Sequence, residues 1–217
     1  MSAGTGPLAI CYGTRPQVIK ASMLIEASAK CWPLLTVDTG QHYDYALNEV
    51  FYEQLGVRKP DHFLEVGSAA HAVQTAHVLT RAAEVFEAAR PRAVVVIGDT
   101  NSTLGCALAA VQLRIPMVHV EAGLRSNDRA MAEEVNRRVV DSVADLLCAP
   151  SAAASAQLEL EHQWGRVVNT GDIAHDVLKR NLAKAIAPAS VEGWPLKAGE
   201  KFAIATLHRA ELTGSAE

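Results

Sequence analysis

The sequence predicts an α/β fold, a mostly parallel sheet flanked by helices, and three observations carry that expectation. Short runs rich in β-branched and other apolar residues alternate with longer amphipathic or alanine-rich segments along the whole chain, the pattern of repeated βα units. The runs are almost continuously apolar, as strands covered on both faces require. Glycine and polar residues collect just after the runs, and in an open parallel sheet the carboxyl ends of the strands are where ligands sit.

Taken in order, LAICY (8–12) is the first expected strand, followed by GTRP and a helix over 16–30, with Pro16 suited to the first helical turn. LLTVDT (34–39) is the second strand, and a helix follows at 44–55. A helix over 69–89 leads to AVVVIG (93–98), which opens onto GDT and a helix over 101–113. PMVHVE (116–121) precedes a helix at 130–143, DLLCAP (145–150) a helix at 151–163, and RVVNTG (166–171) a helix at 174–185. Prolines and glycines at 186–200 break the periodicity and read as a linker. FAIATL (202–207) is the last expected strand.

Charge concentrates at the strand ends. In MVHVEAGLRSND (117–128) an apolar run ends in His119 and Glu121 and continues through Gly123, Arg125 and Asp128. A core strand with a plain turn has no use for that much charge. GTRPQVIK places Arg15 and Lys20 on the first turns of a helix, where the helix N-terminus favours anions; a pair of solvated cations is the bland alternative. Asp99 can cap a helix, as can Thr100 or Ser102, but Asp99 and Glu121 end adjacent candidate strands, and carboxylates sharing a crevice can divide acid and base roles. In AEEVNRRVVD the helical spacing joins Glu133 to Arg137, ordinarily a surface pair of small value. Gln41 and His42, Gln74, and the late pair His208 and Arg209 sit in further strand-end or glycine-containing segments, and histidine is the usual proton carrier near neutral pH.

Composition narrows the classes. The chain has 217 residues, 49% hydrophobic, with a formal net charge of −4. No basic stripe points to nucleic acid or an anionic membrane. The four cysteines show no CxxC spacing, which suits a reducing cytoplasm and suggests no metal site. Neither a signal peptide nor a membrane span is expected.

Together GTRPQVIK, TGQHYDY, VGSAAHAVQTA, GDTNSTL, HVEAGLRSND, EEVNRR, NTGDIAHDVL and TLHRAE resemble, in order, the motif series of the non-hydrolysing UDP-N-acetylglucosamine 2-epimerases. The resemblance implies the Rossmann-like N-terminal domain of a glycosyltransferase-B type fold and a cleft in which UDP-GlcNAc and UDP-ManNAc interconvert. UDP is eliminated across C1 and C2 to a glycal and added back on the other face. By position, Asp99, Glu121 and Glu133 match the family's catalytic carboxylates and His208 its histidine at the domain junction. Arg15, Lys20 and Arg137 match cations around the nucleotide or the carboxylates. Gln41, His42, Gln74 and Arg209 complete the expected substrate contacts. No metal or redox cofactor is implied, and a homodimer is expected by analogy.

The motifs also depart from the family. Ala132 stands where a proline usually precedes the paired glutamates, Ala210 and Leu212 interrupt the usual His-Arg-Arg-Glu-Asn run, and Asp172 replaces a common asparagine. Residues 1–187 are expected to form the N-terminal domain and 188–217 the linker and first strand of a second domain that is largely absent. Family members are far longer, and the other half carries most uridine and phosphate contacts. The expectation is therefore a chain that is weak or inactive alone, either truncated or pairing with a separate C-terminal half. Two rival readings are a hydrolysing 2-epimerase releasing UDP and ManNAc, and a non-catalytic half-domain.

Overall fold

A computed structural model of the chain describes residues 5–40, 52, 55–187, 190, 193, 195–197 and 199–205. Seven strands form one sheet: β1 (Leu8–Tyr12), β2 (Leu34–Asp38), β3 (His62–Phe63), β4 (Ala93–Ile97), β5 (Met117–Val120), β6 (Leu146–Ala149) and β7 (Arg166–Asn169). Their order is β3-β2-β1-β4-β5-β6-β7, and all neighbours are parallel. The helices are α1 (Arg15–Ala29), α2 (His71–Ala89), α3 (Asn101–Gln112), α4 (Ala132–Val143), α5 (Ala152–Leu160) and α6 (Ile173–Asn181).

The two-residue period of the strands divides the core into two layers. Ala9, Cys11, Leu35, Val37, Val94 and Val96 face one way, onto Val78, Ala82 and Phe86 of α2, Cys106, Ala107 and Ala110 of α3, and Val140 of α4. Ile10, Tyr12, Val95, Ile97 and Val120 face the other way, onto Val18, Ala21 and Ile25 of α1. Both sides being apolar, the central strands read as unbroken hydrophobic runs. Close approach of α2 and α3 depends on Gly105, where a Cβ would lie 2.6 Å from Val78.

The chain leaves β1 toward β2 and β3, then returns to build β4 to β7 on β1's other side. The β1/β4 boundary is thus a topological switch point, the place in an open parallel sheet where ligands sit at the carboxyl ends of the strands. Six of the seven expected strands are present within two residues at each end, the ordinary spread of such boundaries. The seventh is corrected: residues 202–205 are not in a strand, and Ile204 is 76% exposed. An apolar run becomes a strand only where a neighbouring strand completes its ladder. Conversely β3, two residues long, has no sequence signature and exists through its pairing with Val37 and Asp38. The helix expected at 44–55 lies almost wholly outside the described residues.

The chain divides into two compact units, Met1–Arg180 and Asn181–Glu217. Among the described residues no helix is long and apolar enough to cross a membrane.

Candidate active site at the carboxyl edge of the sheet

Two loops meet at the switch point because one amide joins them. Gln17, in the first turn of α1, accepts from the N–H groups of Gly13 (2.9 Å) and Thr14 (3.1 Å). Its Nε2 donates to the Ile97 carbonyl (2.6 Å) and to the hydroxyls of Thr100 (3.0 Å) and Thr103 (2.8 Å). The turn after β1 is thereby tied to the turn after β4. Gly13 is required there by close approach: a Cβ would lie 1.9 Å from Thr39 Oγ1 and 2.2 Å from Ser102 Oγ, hydroxyls that bond each other at 2.7 Å. Thr100, not Asp99, caps α3 by accepting from the Thr103 N–H, which leaves the Asp99 carboxylate for other work.

Asp99 and Glu121 follow adjacent strands, and each is met by a cation. Arg137 of α4 forms an ion pair with Asp99 and reaches Glu134 at 3.2 Å. Lys20 of α1 contacts both oxygens of Glu121, at 2.8 and 2.7 Å. A Cβ on Gly98 would sit 3.4 Å from Glu121 Oε2, so the Glu121 carboxylate overhangs the turn that carries Asp99. Glu121 itself adopts φ +69°, a left-handed conformation that costs a residue with a Cβ on the order of 1 kcal/mol and collects at functional sites.

The paired glutamates of α4 separate sharply. Glu134 is 1% exposed and accepts from Ser126 N–H (2.8 Å), Ser126 Oγ (3.1 Å), Arg137 (3.2 Å) and Arg138 (2.8 Å). Burial, the largest influence, pushes its carboxyl up, but these donors together outweigh it and hold the pKa at about 2. Glu134 is therefore a structural anion. Glu133, one position away, has no hydrogen bond or ion pair among the described residues. The expected Glu133–Arg137 pair is replaced, since Arg137 turns to Asp99 and Glu134, partners brought near only by the fold.

The remaining expected residues fall in different places. Arg15 opens α1 and is exposed. Gln74 is buried, with its nitrogen donating to the Gly67 carbonyl and its oxygen accepting from Asn101, both at 2.7 Å. Gln41, His42, His208 and Arg209 lie outside the described residues. Among the described residues no cluster of His, Cys, Asp or Glu could hold a metal ion.

A buried network that sequence reasoning did not anticipate underlies the Glu121 loop. Asp141 of α4, fully buried, meets His119 Nδ1 at 2.7 Å, Arg125 at 2.7 Å and the Gly123 N–H at 3.1 Å. Arg125 also reaches Glu161 at 2.5 Å and holds that carboxyl at about 2. The only advance signal is the alternation of His119, Glu121, Gly123 and Arg125 in one motif.

An all-parallel, switch-point α/β unit with two cation-paired carboxylates at its carboxyl edge defines a Rossmann-type domain. The UDP-N-acetylglucosamine 2-epimerase family model matches residues 28–217, and the chain belongs to that family. It is 40% identical over 206 residues to the UDP-2,3-diacetamido-2,3-dideoxy-D-glucuronate 2-epimerase of Pseudomonas aeruginosa, covering 93% of this chain and 57% of that protein. It is 36% identical over 216 residues to the UDP-N-acetylglucosamine 2-epimerase of Methanocaldococcus jannaschii, covering 97% and 58%. A crystal structure of the Methanocaldococcus jannaschii UDP-GlcNAc 2-epimerase in complex with UDP-GlcNAc and UDP superposes with a TM-score of 0.79 at 37% identity, over 85% of this chain and 51% of that one. The chain thus spans about half the length of the curated relatives it matches.

Proposed function

We propose that this chain carries the proton-transfer half of a UDP-sugar 2-epimerase that interconverts UDP-N-acetylglucosamine and UDP-N-acetylmannosamine. The observation that carries the reading is that Asp99 and Glu121 stand together at the carboxyl edge of the sheet, each beside a cation, in a chain of this family. The C2 hydrogen is removed by a carboxylate while the C1–O bond to UDP breaks, giving the glycal. UDP then returns to C1 as a proton is delivered to the opposite face of C2. Base and acid must stand on opposite faces, and Asp99, Glu121 and Glu133 supply three candidates. Lys20, Arg15 and His208 are assigned to the departing diphosphate, whose developing charge they stabilise.

In this reading residues 1–187 are the N-terminal domain, residues 188–217 begin a second one, and the nucleotide is gripped by that second domain. Binding energy from remote parts of a substrate holds the reacting carbon in place, so the chain alone is expected to be slow. Homodimerisation and a cytoplasmic location belong to the same proposal.

The 40% identity to the diacetamido-glucuronate enzyme favours a second substrate reading, a UDP-2,3-diacetamido uronic acid handled by the same chemistry. The test incubates the chain with each sugar nucleotide in D2O, alone and with the C-terminal half of the Methanocaldococcus jannaschii relative, and follows C2 by NMR. Deuterium at C2 together with the epimeric UDP-sugar is expected in the supplemented tube, and the faster substrate selects between the two. Free ManNAc would instead indicate the hydrolysing reaction. No exchange with either substrate in either tube would overturn the assignment.

A further inference from the structure

We infer that His119 is a positioning residue, whose imidazole couples the loop carrying Asp99 to the loop carrying Glu121. The inference rests on the proposed function only for the roles of those two carboxylates. His119 lies on β5, fully buried, in a position where valine or isoleucine would serve a core strand better, since a buried polar ring is costly unless both nitrogens are satisfied. Both are. Nε2–H donates to the carbonyl of Gly98 at 2.7 Å, the residue before Asp99, and Nδ1 meets Asp141 Oδ1 at 2.7 Å.

Asp141 in turn serves the Glu121 loop. Its Oδ2 accepts from the Gly123 N–H (3.1 Å) and from Arg125 (2.7 Å). Alternate residues of the motif, His119, Gly123 and Arg125, thus converge on one buried carboxylate. Glu121, the remaining member of that alternation, turns to Lys20 and the crevice. The backbone of Glu121 is held at φ +69° between two points of this clamp, and strain of that kind persists only where the surroundings over-determine it. The Gly98 N–H donates to the Val120 carbonyl at 2.9 Å, so the imidazole closes a second link across the same pair of loops.

Two substitutions separate positioning from mere packing. An asparagine at 119 can place a polar atom near the Nδ1 position and keep Asp141 while losing the Gly98 link; a glutamine can reach the Nε2 position and keep Gly98. Amide hydrogen exchange at Gly98, which needs no turnover, and C2 deuterium exchange in the supplemented chain are measured for both variants and the parent. His119→Asn is expected to speed Gly98 exchange by about tenfold or more and to lower kcat by about tenfold or more at little-changed KM. His119→Gln is expected to keep Gly98 exchange and most of kcat.

Equal Gly98 exchange in all three proteins, or equal loss in both variants, would overturn the inference. Should His119→Asn fail to fold, His119→Leu, an apolar side chain that loses both bonds, replaces it: faster Gly98 exchange in His119→Leu than in His119→Gln supports the link, and equal exchange in the two overturns it. Absence of C2 exchange in every protein would count against the proposed function, and the amide measurement would still decide this one.

Discussion

Replacing Glu134 by glutamine isolates the energy stored in the loop that follows the Glu121 motif. The carboxylate is 1% exposed, accepts four hydrogen bonds from Ser126, Arg137 and Arg138, and titrates at about 2 against an ordinary 4.5. Because its folded pKa lies below its unfolded one, the stabilisation is fully present above about pH 4.5 and is lost as the pH falls toward 2. A displacement of that size corresponds to a ceiling of about 3 kcal/mol. Glu134→Gln keeps the shape but turns an NH2 group toward donors and leaves two guanidinium groups short of an anion. The expected loss at pH 7 is about 2–3 kcal/mol. Urea unfolding followed by far-UV circular dichroism at pH 7 and pH 3 measures it. Glu161, held at about 2 by Arg125, contributes to the same acid limb, so the variant's loss of stability between those pH values should shrink by roughly half and not vanish. An acid limb as steep as the parent's, or a loss at pH 7 below about 0.5 kcal/mol, would refute the four-bond account.

Other substitutions probe the crevice. Gly13→Ala forces a methyl group against Thr39 and Ser102 at distances near 2 Å, and thermal melts should show a loss of about 2 kcal/mol or more. Lys20→Met removes a partly exposed ion pair with Glu121. Stability should change by less than about 1 kcal/mol, while the KM for the UDP-sugar in the supplemented assay should rise about tenfold. Glu133→Gln touches no partner among the described residues, so melts should match the parent while C2 exchange falls by about 10²-fold or more. Unchanged exchange would remove Glu133 from the proton-transfer set.

The strand ends were legible because their composition is anomalous. A buried parallel strand tells its identity through an unbroken apolar run, and Asp99 and Glu121 stand out as charges placed where such runs stop. The Glu133/Glu134 pair was not resolvable in sequence. Two adjacent helical residues differ by about 100° in direction, and which of them meets Ser126 and Arg138 depends on a loop eight residues upstream. Arg137 shows the same limit, since helical spacing offered Glu133 as its partner and the tertiary neighbours Asp99 and Glu134 took it instead.

Local chemistry by itself determined the alternation of strands and helices, the parallel sheet, and the collection of charge at its carboxyl edge, because hydrophobic period and turn residues act over a few positions. The motif series further determined the family. The tertiary structure alone decided that Gln17 ties the β1 and β4 turns together, that Gln74 is internal, and that Asp141 gathers His119, Gly123 and Arg125. The Gln17–Ile97 bond and the contacts of Asp141 join residues 16 to 80 positions apart, and hydrogen bonds of that range depend on how strands and helices dock, which no window of the sequence encodes.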